Sequence, residues 1–146
     1  MYTYQTISKK IMGDLHTPVS LYLKVRDIYP ESALLESSDF HGNENSLSYI
    51  ALCPIASIGI NNNECTCSFP DGHQEVTPLS ERRGVAEAMN DFLGRFKVEG
   101  ANSQICGLFG YTAFDAVRYF ERIPVMEAHH AENDAPDMLY ILYRYI

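Results

Sequence analysis

The sequence has no tryptophan, few basic side chains and no long apolar segment. Eleven Lys and Arg residues stand against nineteen Asp and Glu, so the 146-residue chain has a formal net charge of −8 at pH 7. Nucleic acids and anionic membranes are bound through a basic face, and no run of five or more Lys or Arg residues occurs anywhere in the chain. The composition therefore argues against both kinds of partner.

The two ends of the chain carry separate signals about where the protein is found and how long it is. The start, Met1–Thr6, lacks the basic and then apolar segments of a secretory signal, and no apolar run is long enough to span a bilayer, so we expect a cytoplasmic protein. At the other end the chain stops inside an apolar, strand-like segment, 138–146. Domains usually end in polar tails, so we expect a piece of a longer protein whose last strand has an unpaired edge.

Residues typical of metal or catalytic sites are sparse and poorly grouped. The Cys65-Thr66-Cys67 segment should place two reduced, structural thiols on the same side of a strand, without the further ligands that zinc requires. The adjacent pair His129-His130 is poorly arranged to hold one metal ion. There is no nucleophile elbow, no His-Glu-x-x-His and no phosphate-binding loop. We therefore predict no catalytic residue and no metal ligand in this chain.

Turn and helix signals predict one α+β domain over residues 1–146, with a mainly antiparallel sheet and two to three packed helices. Thr-Pro pairs at 17–18 and 77–78 have the residues that open helices. A third helix is predicted over 113–121, with Thr112 and Asp115 as its capping box. Short strands between 48 and 77, broken at Pro54, predict an antiparallel meander, and a strand with two glycines is predicted over 104–112. Residues 99–103 are expected to be a polar linker.

The segment Ala33–Ser38 runs three apolar residues directly into a carboxylate and two hydroxyls. Its length and composition predict a buried strand with Glu36 near one end. Two interpretations remain open at this point. Glu36 is a solvated residue at a strand end, or Glu36 and Ser37 form the polar end of a small-molecule pocket.

The order of several motifs resembles the N-terminal region of anthranilate synthase component I. The similar segments cover most of the chain in the same order, and the Leu-Leu-Glu-Ser motif is the most specific of them. They are Thr17–Lys24, Leu34–Ser37, Ser48–Pro54, Gly107–Glu121 and Ala135–Met138.

This resemblance implies a function that the residues alone do not. The family converts chorismate and ammonia to anthranilate and pyruvate with Mg²⁺, in tryptophan biosynthesis. Its ammonia comes from a glutamine amidotransferase subunit. The chorismate and magnesium sites are expected in a C-terminal region that this sequence lacks, so the chain alone should be an inactive part of a lyase.

The same resemblance implies an allosteric site for feedback inhibition by tryptophan. Its effector-binding residues would be Glu36, Ser37, Pro18 and Leu35. Relatives usually carry a Lys or Arg just before the serine that matches Ser48, whereas this chain has Ser46 and Leu47. That difference could weaken the effector's carboxylate contact.

Three alternatives stay open at the level of the sequence. The chain could be the matching region of aminodeoxychorismate synthase component I, which shares the fold and a similar motif. It could also be a free-standing amino-acid-binding module, or an α+β scaffold that binds nothing.

Overall fold

The structure, a computed structural model, describes residues 1–36, 47–80, 84–121 and 135–146. It confirms the α+β class, with a mainly antiparallel sheet and short helices. Its elements are β1 (Tyr2–Thr6), α1 (Pro18–Val25), β2 (Ala33–Glu36), β3 (Ser48–Asn61), β4 (Glu64–Ser68), β5 (Gln74–Pro78), α2 (Val85–Leu93), β6 (Phe96–Gly100), a 3₁₀ turn (Ser103–Ile105), β7 (Leu108–Thr112), a 3₁₀ helix (Phe114–Tyr119) and β8 (Met138–Tyr145).

The main sheet has the strand order β5-β4-β3-β8-β7, and β2 pairs with the beginning of β3. All of these pairings are antiparallel. The predicted exposed edge at 138–146 is wrong for most of that segment, because β8 lies between β3 and β7. Only beyond the Leu108–Leu142 pair does β8 lack a described neighbour on its β7 side.

Strand β3 is one long strand where the sequence predicted two. The register against β8 shifts between Pro54 and Ala56, and Cys53 has a left-handed φ of 59°. Prolines in sheets occur at such bulges, where the ladder of hydrogen bonds is interrupted, so Pro54 does not end the strand. The predicted break is therefore a bulge.

The two Thr-Pro pairs have different structures. Thr17 caps α1 as predicted, because its Oγ1 accepts from the Ser20 amide at 3.1 Å while the Ser20 Oγ accepts from the Thr17 amide at 3.0 Å. The second pair is the end of β5, where Thr77 lies opposite Cys65, and α2 begins later, after Gly84. The expected helix start at 77–78 is wrong because cross-strand pairing determines that segment.

The third predicted helix is a 3₁₀ helix, and its expected capping box is not formed. The Thr112 hydroxyl shares a 2.8 Å hydrogen bond with the Tyr140 hydroxyl, and the residue in the cap position is Ala113. The start of the predicted strand 104–112 belongs instead to the 3₁₀ turn, and β7 begins at Leu108.

Strands β1 and β6 form a second, parallel sheet that the sequence did not predict. Residues 99–100, expected in a linker, belong to β6. The ring of Phe96 packs with the rings of Tyr2 and Phe92 at centroid distances of 5.4 and 5.1 Å. These contacts attach the small sheet to the main core.

The core lies between α2 and one face of the main sheet. Phe92, Ile58 and Ile60 are its largest fully buried side chains. Cys65 and Cys67 lie on this face with their sulfurs 3.8 Å apart, which confirms the prediction that both thiols share a side. None of the four cysteines, all of them among the described residues, is in a disulfide. Among the described residues, no helix is long and apolar enough to cross a membrane.

Candidate functional site

The predicted effector residues Leu35 and Glu36 are the last two residues of β2. Leu35 lies opposite Tyr49 and Glu36 opposite Ser48, at the beginning of β3. Both side chains are exposed, so β2 is not the fully buried strand that its apolar composition suggested. Ser37 and Ser46 lie outside the described residues.

Pro18, the fourth predicted residue, is the first residue of α1 and is half-buried. Helix α1 contacts both β2 and β3. Its N-terminus is fixed by the Thr17–Ser20 capping box, and Pro suits the first helical position because no amide partner is needed there. The fold thus assembles α1, β2 and the beginning of β3 into one corner, which we call the β2 corner.

A turn at Glu31 and Ser32 connects α1 to β2 and is held by two tyrosines. The Tyr143 hydroxyl donates to the Glu31 carbonyl at 2.8 Å, and the Tyr22 hydroxyl donates to the Ser32 carbonyl at 3.2 Å. Glu31 has φ 63°, a left-handed conformation that is uncommon for this residue type. Burial raises the pKa of Tyr143, with Glu31 as a further cause, so its hydroxyl stays protonated and can donate.

Aromatic rings connect this corner to the glycine-containing strand β7. The Phe109 ring lies 5.8 Å from Tyr49 and 6.4 Å from Tyr143, within the range of favourable ring contacts. Sequence reasoning missed Tyr143, because nothing local in an apolar strand indicates a hydrogen bond to a turn more than a hundred residues earlier. Three segments that carry the resemblance meet here: β2, the start of β3, and β7. Their separation along the chain meant that the sequence could not predict this contact.

Chemically, the β2 corner is an open surface on which the exposed Glu36 carboxylate lies near exposed apolar side chains such as Leu35. No ion pair links Glu36 to a basic side chain in the described ranges. Leu47, just before β3, is also exposed. The Glu36 carboxylate can accept hydrogen bonds from a cationic amine, but the described residues do not form an enclosed pocket around it.

Two clefts lie elsewhere in the molecule. The smaller, about 20 Å³, is bounded by α2 and β4 and holds little more than one water. The larger, about 360 Å³, lies between β1, β6 and the end of β8. Neither is lined by Pro18, Leu35 or Glu36.

The described residues offer no magnesium site. No group of three or more His, Cys, Asp or Glu side chains is arranged to hold a metal ion within the part of the chain that is described. His129 and His130 lie outside it.

The fold and the β2 corner define a small α+β domain with one solvent-open corner that carries the Glu36 carboxylate. No protein-family model matches the chain. It is 28% identical over 133 residues to anthranilate synthase component 1 of Thermus thermophilus, covering 91% of this chain and 27% of that protein. It is also 28% identical over 139 residues to anthranilate synthase component 1 of Mycolicibacterium smegmatis, covering 93% of this chain and 25% of that protein.

The chain is thus distantly related to anthranilate synthase component 1. It spans about a quarter of the length of the two curated relatives, 27% and 25%. The similarity extends over almost the whole of this chain and includes the β2 corner.

Proposed function

We propose that this chain is the N-terminal regulatory region of an anthranilate synthase component I and contributes the tryptophan feedback site. The observation that supports this most is the β2 corner, where segments of the distant resemblance that are far apart in sequence meet around Glu36. Both curated relatives bear the anthranilate synthase name, which favours this reading over aminodeoxychorismate synthase.

In this proposal Glu36 and Ser37 bind the ammonium group of tryptophan, while Pro18 and Leu35 contact its apolar part. A carboxylate accepting from an ammonium group makes a charge-assisted hydrogen bond, which is stronger than a neutral one. Because Glu36 and Leu35 are exposed in this chain, the remaining walls of the pocket would come from the rest of the full-length protein.

The whole-protein activity is part of the same proposal. Full-length protein would convert chorismate and ammonia to anthranilate and pyruvate with Mg²⁺ and a glutamine amidotransferase subunit, in the cytoplasm. This chain alone would be inactive. Incubation with chorismate, ammonium and Mg²⁺ should give no anthranilate fluorescence above a protein-free control, and turnover would show that the chain contains an active site.

The deciding experiment is the tryptophan inhibition curve of full-length Glu36→Ala. A charge-assisted bond contributes about 1.5–3 kcal/mol, which corresponds to roughly 10- to 150-fold weaker inhibition. Glu64→Ala is the matched control, because Glu64 is also an exposed glutamate at a strand end but belongs to β4. Activity without tryptophan should be the same in both variants.

A further substitution tests the neighbouring residue. Ser37→Phe should abolish inhibition by filling the pocket, whereas Ser37→Ala should weaken it less than Glu36→Ala. An unchanged inhibition midpoint in a folded Glu36→Ala enzyme would contradict the proposal and show that Glu36 is a solvated residue at a strand end.

A further inference from the structure

The larger cleft is a second candidate binding site, separate from the β2 corner. Its walls come from β1, β6, the turn after β6, the bulge in β3 and the end of β8, represented by Tyr4, Val98, Ile105, Ile55 and Leu142. Its volume is about 360 Å³, in the range of small-molecule pockets. These mostly apolar walls would suit the hydrocarbon part of a small molecule.

The cleft exists because of the bulge and because β7 starts late. Ile55 lies at the register shift between Pro54 and Ala56, and bulges redirect side chains in this way. Strand β7 pairs with β8 only as far as Leu108–Leu142, so residues 143–146 have no described strand on that side. Ile105 and Cys106, which precede β7, are among the residues that line the cleft.

The charge of the cleft is unusual for this chain. Arg144 is the one charged side chain among its lining residues, although the sequence has a net charge of −8. Arg144 follows Leu142 by two positions in β8, so the two side chains share the face of the sheet that borders β1. None of the ion pairs in the described ranges includes Arg144.

The polar side chains that line the cleft with Arg144 differ in whether they already make a hydrogen bond. Thr6 Oγ1 donates to the Ala101 carbonyl at 2.7 Å, and Ser8 Oγ accepts from Asn102 Nδ2 at 2.9 Å. The Tyr4 hydroxyl has no hydrogen-bond partner within the described ranges. Tyr4 and Arg144 line the same cleft. Burial raises the pKa of Tyr4, and the positive charge of Arg144 opposes that rise.

We infer that this cleft binds a small monocarboxylic acid with an apolar body and no ammonium group. The Arg144 guanidinium would receive the carboxylate, for which its planar donors are well matched. The Tyr4 hydroxyl would donate to the same carboxylate. Because no acidic side chain lines the cleft, an α-amino acid would bring an ammonium group that no carboxylate side chain there can receive.

The test is an NMR shift titration of the chain with three related probes. 3-Phenylpropionate should bind at millimolar concentration and shift the amides of β1 and the end of β8. 3-Phenylpropan-1-ol, which lacks the carboxylate, and L-phenylalanine, which adds the ammonium group, should each bind about tenfold more weakly. Equal binding of the acid and the alcohol, or no saturable shift with the acid, would overturn the inference.

Variants separate the cleft from unspecific surface binding. Arg144→Gln should weaken 3-phenylpropionate about tenfold, the effect of losing one charge-assisted contact at a solvent-accessible position. Arg26→Gln is the matched control, since Arg26 is an exposed arginine far from the cleft lining, and should bind like the parent. Ala101→Phe should block the cleft and abolish binding, while binding that persists in Ala101→Phe would place the ligand elsewhere.

Ile146 lines the cleft and carries the terminal carboxylate. Adding Gly-Ser after Ile146 moves that carboxylate away from the cleft, and the same titration is repeated on the extended chain. Binding should still depend on Arg144. Loss of that dependence would show that Arg144 does not receive the ligand.

Discussion

Replacing Gly110 by alanine should strongly destabilise the sheet, because β8 passes directly over this position. A Cβ placed on Gly110 would lie 2.7 Å from Tyr140 Cα and 2.8 Å from the Leu139 carbonyl carbon. Real Cβ atoms do not approach that closely, and both obstacles are backbone atoms that cannot rotate away. Strand β7 would have to move off β8, where Leu108 and Leu142 are paired.

The magnitude follows from the nature of the obstacle. Overpacking inside a folded protein typically costs about 1–3 kcal/mol, and a rigid backbone obstacle places Gly110→Ala at the upper end, about 3 kcal/mol. A chain of this size changes its Tm by about 2–4 °C per kcal/mol. We therefore expect Tm to fall by about 6–12 °C.

Gly59→Ala is the matched control for the loss of glycine itself. Gly59 also lies inside a strand beside β8, but its nearest neighbour would be the Met138 carbonyl oxygen at an ordinary 3.8 Å. Alanine there should be tolerated, with a gain of about 0.4–1 kcal/mol from the less flexible unfolded chain. Thermal unfolding followed by circular dichroism measures both variants. Equal Tm values for Gly110→Ala and Gly59→Ala would refute the close approach of β7 and β8.

Three further predictions concern the core, the ion pair after β7 and the tyrosine behind β2. Phe92→Ala should lower the free energy of unfolding by about 3–5 kcal/mol, because Phe92 is only 2% exposed. Urea unfolding measures this, with Leu93→Ala, at an exposed neighbouring residue, as the control. An equal loss of stability in both variants would contradict the prediction. Arg118 donates to Asp137 at 2.6 Å in a half-buried pair. A double-mutant cycle of Arg118→Gln and Asp137→Asn should therefore give a coupling energy of about 1–2 kcal/mol, below the ~3–5 kcal/mol cost of breaking a fully buried pair. A coupling energy near zero would mean that water screens the pair. Burial raises the folded-state pKa of Tyr143 above its ordinary value of 10.0. The contribution of Tyr143 to the free energy of unfolding is therefore fully present below about pH 10 and is lost as pH rises through the folded pKa. Urea titrations between pH 8 and 11 should show a shallower alkaline loss of stability in Tyr143→Phe than in the parent, and identical slopes would contradict the shift.

Local signals predicted the parts of the fold that local interactions determine. The Thr17 cap formed as expected, with the Thr17 and Ser20 side chains each accepting from the other's backbone amide. Gly110 also permits close approach of another strand, as glycines in strands often do. Each of these depends on a few neighbouring residues or on the absence of one side chain.

Partners distant in sequence determined what the sequence could not predict. The Thr-Pro pair at 77–78 carries the same helix signal as the pair at 17–18, yet it is part of β5 because Thr77 pairs with Cys65. The site was predicted only partly for the same reason. The motif at Leu35 and Glu36 was found from its residues, whereas its support by Tyr143 and Phe109 depends on β8 and β7, which arrive much later in the chain.

The interior position of β8 has a consequence for how the molecule forms during synthesis. β8 is the last described strand along the sequence, yet it joins β3 to β7, through pairs as distant as Leu52 with Tyr145. Loop closure of this length slows folding, and on the ribosome β3 and β7 must wait, without their shared neighbour, until residues 138–145 have emerged. Until then the apolar sides of both strands are open to chaperones and proteases, so the main sheet is assembled only after β8 has emerged.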